Sequence, residues 1–261
     1  MRVLVTNDDG VDAAGIVDLS AALLDDGHEV IVAAPSTERS GSGSSIGTIA
    51  DGSQIPLQQK RIDALGATPV FAADCPPAMV VIAACAGAFG APPDIVASGI
   101  NPGHNTGRSI LFSSTVGAVL AARVAGVGGL AISTGFEPHH RYDTAAAVAR
   151  RLVTWMAEDT NRRLTLNVNV PAVDFTELRG VSITTLAAQS MFSLKVSRVG
   201  DALALRREER GRGFAAGTDG DAVASGRVSV TSLSPVTDGN GALSADATRT
   251  LVGALDLAPT S

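Results

Sequence analysis

An α/β fold with a doubly wound, mostly parallel sheet is predicted by three observations. Short apolar runs rich in Val, Ile and Ala recur along the chain, the mark of strands buried on both faces. Stretches with helical spacing of apolar residues lie between them, and that alternation defines the class. The first two runs and the helical stretch between them form a βαβ unit at the very start of the sequence.

Each element follows from its residues. Arg2–Thr6 (RVLVT) is a Val-rich strand that ends at Asn7-Asp8-Asp9-Gly10. Asp12–Leu24 carries Ile16, Leu19, Leu23 and Leu24 at helical spacing, and Gly27 is a stop signal. Glu29–Ala34 is the second strand, closed by Pro35. Ser36–Ser53 is polar and Gly/Ser-rich; it follows a strand end, where open α/β sheets place ligand loops, so it reads as functional rather than as a linker. Asp74–Ala88 is a helix with Pro76 and Pro77 in its first turn, where proline is tolerated. Asp94–Ile100 is a third buried strand, running into the turn-rich segment Asn101–Gly107. Ser113–Ala125 reads as a helix, Gly129–Thr134 as a strand, Asp143–Glu158 as a long helix and Leu164–Val170 as a strand stopped by Pro171.

Beyond Pro171 the pattern changes. Val181–Thr185, Leu203–Arg206 and Val228–Leu233 are short strand-like runs separated by Gly and charge. Residues 1–171 are therefore expected to form the α/β core, with 172–261 a β-rich extension. Ser244–Leu257 reads as a terminal helix with Ser244 at its N-cap.

Composition narrows the function. Of 261 residues, 45% are hydrophobic but only 3% aromatic, so Val, Ile, Leu and Ala must build the core. The net charge of −6 and the lack of a dense basic run argue against binding to a nucleic-acid polymer. The nearest basic cluster, Arg206, Arg207, Arg210 and Arg212, is broken by Glu208 and Glu209 and reads as a solvated hairpin or loop. Cys75 and Cys85 fit neither a metal spacing nor a disulfide framework; both are expected to be reduced, with Cys85 in the core. No signal peptide and no bilayer-spanning stretch is visible, which implies a cytoplasmic protein with no membrane partner.

The chemistry concentrates in loops after predicted parallel strands: Asn7–Gly10, the Ser40 region and the Asn101 loop. In a doubly wound sheet the carboxyl ends of the strands lie on one edge, so these loops can converge. They bring carboxylates, hydroxyls and amides, all hard oxygen donors suited to Mg²⁺, Mn²⁺ or Ca²⁺. Adjacent Asp8 and Asp9 repel unless a cation lies between them. The plain alternative makes Asp9 a helix cap and leaves Asp8 solvated, and on Asp-Asp-Gly alone it is the better reading; the position at the end of the first βαβ strand brings the two readings level. Ser40-Gly41-Ser42-Gly43-Ser44-Ser45 and Ser113-Ser114-Thr115 offer N–H groups and hydroxyls, and the second stretch opens a helix whose N-terminus favours an anion. Ser113 is equally suited to be a simple N-cap. No P-loop and no Gly-x-Ser-x-Gly nucleophile elbow is present.

In these stretches the chain resembles the SurE family. The resemblance is carried by VLVTNDDGVDAAGI from residue 3, APSTERSGSGSSI from 34, ADC from 73, PDIVASGINPGHNTG from 93, SSTVGAVLAARVAG from 113 and TDGDAVASGRVSVTSLSP from 218, with LNVNVP from 166 in support. It implies a Rossmann-like core with a β-rich extension that takes part in dimer or tetramer formation. It implies hydrolysis of phosphomonoesters, nucleoside 5′- and 3′-monophosphates above all, with one divalent cation per subunit. The positions matching the family's metal ligands are Asp8, Asp9, Ser40 and Asn101; those matching the phosphate site are Gly41, Asn105, Ser113, Ser114 and Thr115. Asp8, Asp9 and Asn105 are the catalytic positions. The chain departs from the family where Tyr-Ser-Gly-Thr-Val becomes Phe112-Ser113-Ser114-Thr115-Val116, and at Gly47, Arg108, Ser109 and Ala121. Ser114 would restrict the backbone if that position needs a positive φ. Two other readings stand beside a nucleotidase: a phosphatase for a sugar phosphate or another phosphorylated small metabolite, and a metal- and nucleotide-binding protein without turnover. His104, in the Asn101 loop, reads as a polar loop residue rather than a general acid.

Overall fold

The structure of the protein, a computed structural model, describes residues 1–136, 139–158, 163–209 and 213–234. In chain order the first elements are β1 (Arg2–Thr6), α1 (Ala14–Asp25), β2 (Glu29–Pro35), β3 (Leu57–Lys60), β4 (Val70–Ala73), α2 (Pro77–Cys85), β5 (Ile95–Pro102) and α3 (Ser114–Val124). They are followed by β6 (Gly128–Thr134), α4 (Tyr142–Glu158), β7 (Thr165–Asn169), β8 (Val181–Ile183), β9 (Phe192–Val199), β10 (Ala202–Glu209), α5 (Asp219–Ala224) and β11 (Val228–Ser232).

Among the described residues one sheet has nine strands, in the order β3-β4-β2-β1-β5-β6-β7-β11-β8. From β4 through β2, β1, β5 and β6 to β7 every pairing is parallel. β3 joins β4 antiparallel at one edge, and β11 joins β7 antiparallel near the other. The chain winds outward from β1 to β2 and β4, then returns and winds the opposite way from β5. The strand order therefore reverses between β1 and β5, where open sheets of this kind bind ligands.

The period of two along β1 sorts the core. Val3 and Val5 face α1 and α4, packing with Ile16, Leu19, Leu23, Val153 and Met156. Leu4 faces the other side, with Val80, Val81 and Ala84 of α2 and Val116 and Val119 of α3. Helices thus cover both faces, as the unbroken apolar strands require.

Several boundaries differ from the sequence reading for physical reasons. α2 begins at Pro77 rather than Asp74, because Cys75 and Pro76 each precede a proline, which disfavours helical backbone; Pro76 is extended at ψ 157°. β5 continues through Asn101 and Pro102, past a register irregularity against β6, so Asn101 stands on a strand end and not in the loop. β3 and β4 were not foreseen: each has only four residues, and β3 (LQQK) is a polar edge strand. β9 also escaped prediction; with β10 it forms a separate antiparallel hairpin that leaves most of both strands exposed. Cys75 is the buried thiol, while Cys85 is only half-buried and not in the core. The predicted helix Ser244–Leu257 lies outside the described residues.

Candidate active site

The three loops converge. One cleft of about 800 Å³ is lined by Asp8, Asp9, Ser40, Gly41, Asn101, Asn105 and Ser113, together with Glu38 and His104. Asp8 and Asn101 leave the ends of β1 and β5, the two strands that flank the switch point.

Asp8 is only 3% exposed. The Thr115 hydroxyl donates to its Oδ1 at 2.7 Å. Burial pushes the Asp8 carboxyl above the usual range, more than the Thr115 hydrogen bond lowers it, and nearby Glu38 adds to the upward push. An ionised carboxylate here calls for a cation. Asp9 does not cap the following helix: α1 has Ala13 at its N-cap and no side-chain capping bond.

The Ser40 loop is fastened to this carboxylate. Arg39 N–H donates to the Asp8 carbonyl at 2.7 Å, and the Arg39 side chain pairs with Asp74 of the ADC stretch. Ser114 Oγ donates to the Arg39 carbonyl at 2.9 Å and accepts from Ser42 N–H at 3.0 Å. Gly43 N–H donates to the Phe112 carbonyl at 3.2 Å. Ser114 is the first residue of α3, so its backbone is helical and no positive φ is needed. The serine that replaces the family's glycine supplies a tether instead.

The phosphate positions therefore divide. Gly41, Asn105 and Ser113 line the cleft. Ser114 and Thr115 do not, and their hydroxyls are engaged by the Ser40 loop and by Asp8. Ser113 is the N-cap of α3, its Oγ accepting from Val116 N–H at 3.2 Å. The first N–H groups of any α-helix lack intrahelical partners, so this end of α3 retains anion-binding capacity beside the cleft.

Close approach fixes the same loop. A Cβ on Gly117 of α3 would lie 2.3 Å from the Gly43 carbonyl oxygen, a backbone atom with little freedom to move. Gly117→Ala is expected to cost about 1–3 kcal/mol of stability and to displace the Ser40 loop. Thermal denaturation beside phosphatase assays checks it; an unchanged midpoint and unchanged rate would show that the loop is looser than the contact implies.

The Asn101 loop is held by residues that the sequence did not single out. Asn167 and Asn169, both fully buried on β7, donate through Nδ2 to the Asn105 carbonyl at 2.8 and 2.9 Å. Asn169 Oδ1 accepts from Asn105 N–H at 2.8 Å, and Asn105 Nδ2 donates to Ser133 Oγ at 2.9 Å. The signal was present: asparagines at i and i+2 on a buried strand need partners on one face. His104 Nε2 is 2.9 Å from the Val170 carbonyl and must donate to it. Burial lowers the His104 pKa, so the ring is neutral and acts as a loop clamp. Asp219, fully buried, accepts from Gly107 N–H at 2.7 Å on one oxygen and from Ala187 and Gly220 N–H at 2.9 and 2.8 Å on the other.

The cleft is also lined by Phe112 and Phe136 and, from the hairpin, by Phe192, Leu194 and Arg207. Three of the chain's seven phenylalanines gather here.

Four side chains could hold a divalent cation. Asn101 Nδ2 donates to the Gly103 carbonyl at 2.6 Å, which leaves Oδ1 for a ligand. Thr115 occupies Asp8 Oδ1 and leaves Oδ2. With Asp9 and the Ser40 hydroxyl these form an all-oxygen set, which fits Mg²⁺ or Mn²⁺. Among the described residues no cluster of three or more His, Cys, Asp or Glu could hold a metal.

The chain is similar in sequence and in fold to known proteins. The family model described as "Survival protein SurE" matches residues 3–193. The chain is 37% identical over 252 residues to the 5′-nucleotidase SurE of Xanthomonas oryzae pv. oryzae (strain PXO99A), covering 89% of each chain. It is 36% identical over 245 residues to the 5′-nucleotidase SurE of Stenotrophomonas maltophilia (strain K279a), again covering 89% of each. The crystal structure of the SurE protein from Aquifex aeolicus superposes with a TM-score of 0.79 at 30% identity, over 95% of this chain and 100% of that one.

Proposed function

Because this chain belongs to the SurE family, we propose that it is a metal-dependent phosphomonoesterase that hydrolyses nucleoside 5′- and 3′-monophosphates. The observation that carries the reading is one cleft with Asp8, Asp9, Ser40 and Asn101 among its lining and an apolar, Phe-rich wall. The oxygen set suits a cation, through which a phosphate would be held. The apolar wall suits a nucleobase, and it favours a nucleotide over a sugar phosphate, whose hydroxyls would need polar partners there.

Asp8, Asp9, Ser40 and Asn101 would hold one Mg²⁺ or Mn²⁺ per subunit. When bound, the cation supplies Lewis-acid polarisation of the phosphoryl group. Thr115 fixes the Asp8 carboxylate for that role. Gly41, Asn105 and the N-terminus of α3 bind the remaining phosphate oxygens as charge develops. The hydroxyls of Ser114 and Thr115 act from behind, by positioning. With one Asp8 oxygen held by Thr115 and the other given to the cation, water is the better nucleophile. The stereochemical course at phosphorus tests this, with a phosphorothioate ester made chiral by ¹⁸O and hydrolysed in ¹⁷O-water: one direct displacement by water inverts the configuration, and retention, the mark of two displacements through Asp8, would overturn the reading.

The core of residues 1–171 supplies the catalytic loops and two of the cleft's phenylalanines in this reading, and 172–261 supplies Phe192, Leu194 and Arg207 and a surface for self-association. Leu194, Val196, Leu203 and Leu205 share one face of the hairpin and are more than half exposed, which supports a homodimer or homotetramer; light scattering reads it directly. No described helix is long and apolar enough to cross a membrane. A cytoplasmic site of action, with small phosphorylated substrates and no nucleic-acid polymer as partner, completes the proposal.

The test is phosphate release from a panel of nucleoside monophosphates and sugar phosphates with Mg²⁺, Mn²⁺ or EDTA. Metal-dependent turnover of nucleotides is expected. Turnover confined to sugar phosphates would retain the chemistry and reject the substrate. Phosphate release undiminished by EDTA would reject the metal, and no release from any ester would reject the enzyme.

A further inference from the structure

Among the described residues, Arg207 is the one cationic side chain lining the cleft. Its guanidinium carbon lies 3.9 Å from the centroid of the Phe136 ring, and Phe136 meets Phe192 edge-on at 5.8 Å between centroids. Arg207 stands opposite Leu194 in the hairpin register, so both side chains share one face. The other cations of the hairpin are paired: Lys195 and Arg206 with Glu208, and Arg198 with Asp201. Arg207 is paired as well, with Glu209 at 3.4 Å; an exposed pair of this kind contributes little and leaves the guanidinium able to exchange partners.

Stacking covers one face of a guanidinium and leaves its in-plane N–H donors at the edges. That geometry takes a phosphate or carboxylate through two parallel hydrogen bonds. Every other charged residue lining the cleft, Asp8, Asp9 and Glu38, is negative. A cation bound by the two aspartates can neutralise the scissile phosphate; a second anionic group on the same molecule would have Arg207 alone.

We propose that Arg207, braced on Phe136, is a specificity-determining residue that receives a second anionic group of the substrate, so that the enzyme favours phosphomonoesters bearing another phosphate or carboxylate. This rests on the phosphomonoesterase reading of the same cleft.

The test is equilibrium binding of the non-hydrolysable phosphonate analogues of adenosine 5′-monophosphate and adenosine 3′,5′-bisphosphate, by calorimetry on the protein with Asp8 intact and Mn²⁺ present, which does not depend on turnover. The bisphosphate is expected to bind at least about tenfold more tightly, the scale of a hydrogen-bonded ion pair. Arg207→Gln should bring that ratio to about one, and Arg207→Lys, with its charge kept and its fork lost, should give an intermediate ratio. Equal affinities before substitution, a ratio that survives Arg207→Gln, or failure of the bisphosphate to bind would overturn the proposal. Equal weakening of both ligands would do so too, since Arg207 would then touch the shared nucleoside. Wild-type turnover is read separately: an intact ratio without turnover would reject the phosphatase reading and leave the anion subsite standing.

Discussion

Asp8→Asn is expected to lower kcat/KM for any phosphate ester by at least about 100-fold, the loss that follows removal of a group acting directly at the reacting centre. The substitution keeps the shape of the side chain, and Asn can still accept from Thr115. It removes the negative charge that would hold the cation. The effect on folding should run the other way. Burial raises the Asp8 pKa in the metal-free fold. A carboxyl raised in this manner is destabilising once the pH exceeds its unfolded value, about 4, because the folded state then retains a proton less cheaply lost than in the unfolded chain. At neutral pH the metal-free Asp8→Asn protein should therefore melt no lower than wild type, while Mn²⁺ or Mg²⁺ should raise the melting temperature of wild type alone. Near-normal turnover in Asp8→Asn would remove this carboxylate from the reaction. A lower melting temperature without metal would mean that it is chiefly structural.

Asp219→Asn should have the largest effect on stability. The carboxylate joins three chain segments through three backbone N–H donors, fully out of solvent. An amide can keep one oxygen on Ala187 and Gly220, but its NH₂ then faces the Gly107 N–H, donor against donor. Leaving a buried donor unpaired beside another costs about 2–4 kcal/mol. For a chain of this size that is a fall of about 5–15 °C in melting temperature. Gly107 ends the segment that carries Asn101 and Asn105, so kcat/KM should fall by about tenfold in the surviving folded fraction. Denaturation and kinetics on the same preparation check both; a melting temperature within about a degree of wild type would mean that the three bonds matter less than their burial implies.

The α/β core was legible in the sequence because its strands are buried on both faces and carry no competing polar pattern. β1 was read to the residue, and α3, β6 and α4 to within one residue at each end. The convergence of Asp8, Ser40 and Asn101 followed from the βαβ start, since parallel winding places strand ends on one edge. What was not legible depends on pairing rather than periodicity. In the hairpin β9 (FSLKVSRV) alternates through Ser197 but β10 (ALALRREE) does not, and its partner is the cleft and not the sheet, so no buried face announces it. Arg207 and Phe136 meet only through that hairpin. Asp219 lies in a stretch with family resemblance, yet nothing in Thr218-Asp219-Gly220 tells that its carboxylate reaches residues 107 and 187. Ser114 looked like a restriction on the backbone; in the fold it is a hydroxyl tether at a helix start.

The central claim is that Asp8, Asp9, Ser40 and Asn101 bind one divalent cation in the cleft. Anomalous diffraction from crystals soaked in Mn²⁺ tests it most directly. The account predicts one peak per subunit within about 2.0–2.6 Å of oxygens from these four side chains, the range for hard cations on oxygen ligands. A peak elsewhere, or none at saturating Mn²⁺, would contradict it.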